Sequence, residues 1–217
     1  MTVLAFVSEA EVRAAIPQVA RHLEGGGLLA HPTETIYGLG SRPREQDVSL
    51  LARLKGRPQA KPFLLLVSSR SMAERYGLVF TSCASTLARR FWPGPLTLVL
   101  AGGKGKLPEA LRGPEAGIAV RWTSHRGMMT LIGAIETPIT STSANRPGEA
   151  TAPGADAIVE AFRGAVDDAT LLVLDGGMLG SLPPSTVVDC TGARPRLVRE
   201  GAIPFSELHA TAESLTR

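Results

Sequence analysis

The sequence predicts one α/β domain built on a mixed sheet, and three observations carry that reading. Short apolar runs of strand type alternate with amphipathic helical stretches along the chain. Two late runs, TVVD and RLV, stand close enough to form a hairpin, so the strands are not all parallel. The length of 217 residues, 44% hydrophobic, suffices for one domain with a full core. The domain is expected to occupy residues 1–217, with a core at about 8–205.

Taken in order, residues 3–7 (VLAFV) predict a first strand. Ser8 and Glu11 then form a capping box, and Val12, Ile16, Val19, Ala20 and Leu23 recur at helical spacing until three glycines stop the run. Pro17 inside that run predicts a kinked or divided helix. Residues 28–31 predict a short buried strand, 45–55 an amphipathic helix, and 63–67 a buried strand. A helix over 83–91 is followed by strands at 96–100 and 117–121, a helix at 127–135 and a strand at 138–142. A helix at 155–162, a strand at 171–174, two strands within PSTVVDCTG (184–192) and RPRLVREG (194–201), and a helix at 205–215 complete the pattern.

Between the second strand and a pair of glycines stands HPTETIYGLG, residues 31–40. Thr33, Glu34, Thr35 and Tyr37 exceed what a turn requires, which makes this a candidate loop for a small polar ligand.

The formal net charge is +3, so the whole chain is no polycation. The charge is uneven. Between Arg42 and Arg70 seven cations face two acids, a local surplus that suggests phosphate of a nucleotide or of RNA. The two cysteines, Cys83 and Cys190, are far apart in sequence and lack zinc-finger spacing, so no metal site and a reducing compartment are expected. No signal peptide and no membrane span are expected, and the four histidines have no triad partner that spacing reveals, His22 reading as a helix-surface residue. There is no phosphate-binding GxxxxGK[ST] loop, and GLGSRP fails the dinucleotide pattern at its third glycine.

Several constellations have two readings each. KGRPQAKP carries Lys55, Arg57 and Lys61, either a cationic helix C-terminus or a rigid polyphosphate clamp. STSAN, from Ser141 to Asn145, is either a Ser/Asn turn or a strand end that offers donors to an anion or a base. Ser185 of PSTVVD is a cap or a ligand contact. Arg121 and Arg199 close apolar strands, either solvated or gripping a carboxylate and a phosphate.

PTETIYGLG, KGRPQAKPF, STSANRPGE and PSTVVD occur in this order, and together they resemble the YrdC family, the threonylcarbamoyl-AMP synthases also called TsaC. The resemblance runs from about residue 10 to about residue 205. It implies a twisted mixed parallel and antiparallel sheet with flanking helices around a basic concave cavity. It implies a nucleotidyltransferase that joins L-threonine, bicarbonate and ATP into threonylcarbamoyl-adenylate and pyrophosphate, with Mg²⁺ accompanying ATP. The product serves tRNA threonylcarbamoyladenosine modification in the cytoplasm, so contact with tRNA and downstream threonylcarbamoyl-transfer proteins are implied partners.

By that resemblance Thr35, Arg121, Ser141 and Ser185 would bind threonine, with Glu34 and Tyr37 shaping the pocket. Lys55, Arg57, Lys61, Ser143, Asn145, Thr151 and Arg199 would bind ATP, with Lys55 and Arg57 as the catalytic cations. The sequence departs from the family twice: Trp122-Thr123 follows Arg121 where Val-Pro is frequent, and Leu66 stands where some members carry a histidine. The extra C-terminal domain of longer relatives is not expected. The rival readings are an RNA-binding module and a paralogue with another adenylation or carbamoylation substrate. Against the first, aromatic residues are only 5%, too few for stacking platforms.

Overall fold

The structure is a computed structural model and describes residues 2–56, 62–113, 116–180, 182–192 and 194–213, residues 212 and 213 without their side chains. In chain order its elements are β1 (Val3–Ala5), α1 (Glu9–Glu24), β2 (Leu28–His31), β3 (Gly38–Gly40), α2 (Glu45–Lys55), β4 (Leu64–Val67), α3 (Arg70–Arg75) and β5 (Leu78–Val79). There follow α4 (Ser82–Phe91), β6 (Leu96–Gly102), β7 (Ile118–Trp122), α5 (Arg126–Ile135), β8 (Ile139–Ser143), α6 (Ala155–Ala161) and α7 (Arg163–Asp167). The series ends with β9 (Leu171–Asp175), β10 (Thr186–Asp189), β11 (Arg196–Arg199) and α8 (Phe205–Glu213).

The strands form one sheet in the order β1-β9-β2-β3-β8-β4-β7-β6-β10-β11, with β5 paired to β6. β1, β9 and β2 run parallel, as do β4 with β7 and β6 with β10; the other pairings are antiparallel. The mixed sheet and the late hairpin are therefore as the sequence predicts.

Alternation decides what the sheet can do. Leu65, Val67, Leu98, Leu100, Ile118 and Val120 are buried in the core, where α3, α4 and α5 pack on β4 and β6. The opposite side chains of the same strands leave an open concave face. No helix among the described residues is long and apolar enough to cross a membrane.

Ser8 caps α1 as its spacing predicts, accepting from the Glu11 N–H while Glu11 accepts from the Ser8 N–H at 2.8 Å. Of the two expected outcomes at Pro17, division does not occur: the helix runs on through it. Pro17 is exposed, so water can satisfy the carbonyl its missing N–H leaves behind. His22 is not a plain surface residue: its Nε2 meets the Leu28 carbonyl at 2.8 Å and its ring fills the space over Gly27.

β3 is the element that alternation could not reveal. It inserts between β2 and β8 as Gly-Leu-Gly, and a Cβ on Gly40 would stand 2.1 Å from the Thr140 carbonyl oxygen. Only glycine permits that approach. α3, β5 and α7 are too short for a periodic signal.

Candidate functional site

The concave face encloses a cavity of about 680 Å³. Its floor is every second residue of neighbouring strands: Leu64 and Leu66 of β4, Thr97 and Val99 of β6, Ala119 and Arg121 of β7, Ser141 and Ser143 of β8. Val187 and Asp189 of β10 continue it, and Thr35 and Ser185 enter from loops. β11 contributes both Arg196 and Arg199. Residues three apart on a regular strand face opposite sides, but the pairing of β10 with β11 shifts register between Val187 and Val188. That irregularity sets Arg199 opposite Val187 and Arg196 opposite Asp189, so both arginines reach the cavity.

The loop before β3 divides its labour. Thr33 is structural: its hydroxyl accepts from the N–H groups of Thr35 and Ile36, each at 3.2 Å, and donates to the Ile36 carbonyl at 2.7 Å. Tyr37 is buried, donating to the Gly177 carbonyl at 2.8 Å and accepting from Gly176 N–H at 2.9 Å, so it anchors the loop from behind. Thr35 faces the cavity, where its hydroxyl oxygen accepts from Arg121 Nη1 at 3.3 Å and Nη2 at 3.2 Å.

Arg121 is 3% exposed, so its charge must be met inside the protein. Glu34 supplies the counter-charge at 2.7 Å, and Arg121 Nε donates to the Gly94 carbonyl at 3.3 Å. Thr123 holds the second Glu34 oxygen. Burial alone would raise the Glu34 carboxyl pKa, but the Arg121 charge and the donors from Arg121 and Thr123 prevail and keep it below its usual value. Of the five guanidinium N–H donors, one on Nη1 is left by these described partners for an incoming anion.

Ser185 meets Thr97 at 2.8 Å, and Arg199 donates to the Ser185 carbonyl at 2.7 Å. Arg199 is exposed yet lines the cavity; desolvation and the like charge of Arg121 both lower its pKa, which makes the cavity a place that favours anions. Asp189 accepts from Thr191 N–H at 2.9 Å and from Arg196 at 2.9 Å. Behind Ser141 lies His31, fully buried, with no hydrogen-bond partner on Nε2 among the described residues. Burial pushes its pKa down to about 4, the weak Pro32 contact opposing and the charges of His125 and Arg121 assisting.

The sequence-predicted residues sort clearly. The cavity unites Thr35, Arg121, Ser141, Ser143, Ser185 and Arg199. Lys55 is 6% exposed and does not line it; its ammonium donates to the Ser143 carbonyl at 2.7 Å and to both oxygens of Asn145. Asn145 in turn accepts from the Ser143 hydroxyl at 2.7 Å and donates to the Glu149 carbonyl at 2.6 Å, so it builds the turn instead of lining the cavity. Thr151 lies outside the lining as well. Arg57 and Lys61 lie outside the described residues.

The basic surplus of residues 42–70 also changes meaning. Arg42 pairs with Glu24, Arg44 with Asp47 at 2.6 Å, and Arg70 with Glu74 at 2.8 Å over the Phe80 ring. Most of that segment's described charge is thus neutralised locally, not gathered into a patch. Thr97, Asp189, Arg196, Leu64 and Val187 went unread because their facing depends on cross-strand register.

A sequence profile of the Sua5/YciO/YrdC family, described by the words telomere recombination, matches residues 21–201. A threonylcarbamoyl-AMP synthase of Pyrococcus abyssi is 34% identical over 209 residues, 96% of this chain and 60% of that protein. Another, of Thiobacillus denitrificans, is 35% identical over 185 residues, covering 84% of this chain and 95% of that one. The crystal structure of Pyrococcus abyssi Sua5 complexed with L-threonine superposes with a TM-score of 0.85 at 33% identity, covering 97% of this chain and 61% of that one. The chain thus spans about three fifths of the length of the Pyrococcus protein.

Proposed function

We propose, from the premise that this chain belongs to the Sua5/YciO/YrdC family, that it is a threonylcarbamoyl-AMP synthase. It joins L-threonine, bicarbonate and ATP into threonylcarbamoyl-adenylate and pyrophosphate, for use in tRNA modification by threonylcarbamoyl-transfer proteins in the cytoplasm. The observation that carries this reading is the meeting of Arg121 and Arg199 with the hydroxyls of Thr35, Ser141, Ser143 and Ser185 in one cavity. A small zwitterion needs short donors and acceptors around a cation, and a triphosphate needs further positive charge nearby. The volume of about 680 Å³ is in the range of small-molecule sites.

Arg121 with Thr35 beside it, and Ser141 and Ser185 elsewhere in the same cavity, bind the amino acid and turn its carboxylate away from the reacting centre. The threonine amine attacks the bicarbonate carbon and water leaves, giving a carbamate. A carbamate oxygen then attacks the α-phosphorus of ATP, the bond to the β-phosphate bridging oxygen breaks, and pyrophosphate departs with the electron pair. No side-chain nucleophile takes part; the protein contributes position and fixed charge. Ser143 and Arg199 face the nucleotide, while Arg57, Lys61 and Thr151 are assigned to it on resemblance alone. Lys55 acts through the Ser143–Asn145 turn, because its ammonium is engaged there.

Mg²⁺ comes with the nucleotide in this reading. The cavity carboxylate Asp189 already serves Thr191 and Arg196, so in this reading phosphate and water would hold the metal. When bound, the ion neutralises phosphate charge.

The test is incubation with ATP, Mg²⁺, threonine and isotopically labelled bicarbonate, followed by mass analysis. One label in a threonylcarbamoyl-adenylate, with pyrophosphate released in step, is expected. Pyrophosphate release that ignores threonine, or none at all, rejects the reading.

A further inference from the structure

Thr123 follows β7 two residues after Arg121 and is fully buried. It stands where the family frequently has proline, which carries no hydroxyl. Its oxygen accepts from the His125 N–H at 3.2 Å, and its one proton goes to Glu34 Oε2. Glu34 Oε1 meets Arg121 Nη2 at 2.7 Å. The Glu34 carboxylate is thus shared between a neutral donor and a cation. Left to themselves, an arginine and a carboxylate tend to close as a fork, two N–H groups on two oxygens. Among the described residues no Arg121 hydrogen bond reaches Glu34 Oε2; Thr123 holds that oxygen instead.

We infer that Thr123 is a positioning residue for the amino-acid carboxylate: by holding one Glu34 oxygen it stops Glu34 from closing on Arg121, and so keeps a guanidinium N–H for the substrate. The inference rests on the synthase reading above and deepens it. Arg121 lines the cavity although it is almost wholly buried, and a single N–H edge suffices for a charge-assisted hydrogen bond. Two anions compete for that edge, Glu34 from within the protein and the amino acid from the cavity. Glu34 is tethered beside the cation, so a Glu34 carboxylate free to turn would outcompete a ligand that must come from solution. Thr123 removes the competitor and leaves its charge, which the buried guanidinium needs. The branched Cβ of threonine restricts χ1, so the hydroxyl stays on Glu34.

The test measures L-threonine binding to the full chain by calorimetry, beside the KM values for threonine and ATP in pyrophosphate release. Thr123→Val, Thr123→Ala and Thr123→Ser are compared with the wild type. Thr123→Val should raise both the Kd and the KM for threonine about tenfold, the size of a hydrogen bond to a charged group, with the KM for ATP nearly unchanged. Thr123→Ala should do the same, and Thr123→Ser, which keeps the hydroxyl, should restore most of the affinity. A merely structural role would lower the melting temperature and leave that split absent. Unchanged threonine binding in the folded variants, or equal rises in both KM values, overturns the inference and leaves the synthase reading standing. Failure of both Thr123→Val and Thr123→Ala to fold, with Thr123→Ser normal, makes the residue structural and overturns it too. A wild type that binds threonine without releasing pyrophosphate rejects the synthase reading, and the Kd values still decide on Thr123. A wild type that binds no threonine overturns the inference.

Discussion

Lys55 holds Asn145 by both the backbone carbonyl and the side-chain oxygen of that residue, and the Ser143 carbonyl completes the set at 2.7 Å. The last residue of α2 thus fixes the turn that follows β8, and with it the angle at which Ser143 enters the cavity. A cation that the sequence offers to phosphate is spent on backbone geometry.

Lys55→Met should therefore act on stability first. It strands partly buried acceptors, at a cost of about 2 kcal/mol, which corresponds to a melting temperature lower by about 4–8 °C. Lys55→Arg should fail to restore it, because a planar fork cannot meet acceptors clustered around an ammonium. Thermal denaturation measures the first effect, and the KM for ATP should rise with it. A variant with wild-type melting and wild-type ATP dependence would refute this role.

Glu34 and Arg121 make a second coupled pair. Glu34→Gln removes the counter-charge of a buried guanidinium and should destabilise the protein by about 3 kcal/mol at neutral pH. The Glu34 carboxyl is held below its ordinary 4.5, so its contribution is present above that value and fades as pH falls through the depressed one. Denaturant unfolding of wild type and variant should therefore differ most at pH 7 and converge as pH falls below 4.5 through the depressed value. A gap of constant size across that range would contradict the pairing.

His31 gives the opposite kind of group, a base kept neutral. The unfolded chain takes up its proton near 6.5 and the buried ring only near 4, so stability falls as pH drops between those values. The full loss is about 3 kcal/mol, of which about 2 should be spent by pH 5. The charges that disfavour the proton are those of His125 and Arg121. His31→Phe keeps a ring over Gly38 and Gly40 and should remove this pH dependence. If wild type and His31→Phe lose stability in parallel from pH 7 to pH 5, the burial argument fails.

Much of this architecture is legible in the residues. The Ser8 capping box, the α2 and α4 periodicities and the strands that follow those two helices emerge within a residue or two of their predicted ends, because each is set by local patterning. The order of strands is not, since β4 pairs with β7 and β8 across long stretches of chain. The family resemblance, with residue type leaving two readings open, points to Arg121, Thr35, Ser143 and Ser185, which reach the cavity. It could not distinguish Lys55, whose ammonium turns inward, or bring Arg196 beside Arg199, which takes a shifted register in β11. Nor could it pair Cys83 with Cys190, which are far apart in sequence yet close enough for each thiol to affect the other.

The two glycines of β3 separate stability from binding. At Gly40 an added Cβ would meet a backbone oxygen at 2.1 Å, which no rotamer can relieve. Gly40→Ala should push β3 off β8 and lower stability by about 3 kcal/mol or more, with soluble yield falling alongside. At Gly38 the neighbours are side-chain atoms, Ser141 Oγ at 2.6 Å and His31 Cε1 at 2.7 Å. The serine can rotate away, so Gly38→Ala should stay folded and lose about 1–2 kcal/mol. Its larger effect should fall on threonine, because the displaced hydroxyl is one that lines the cavity. The expected pattern is a KM for threonine raised severalfold with the KM for ATP nearly unchanged. Equal changes in both constants would mean that Ser141 does not face the amino acid.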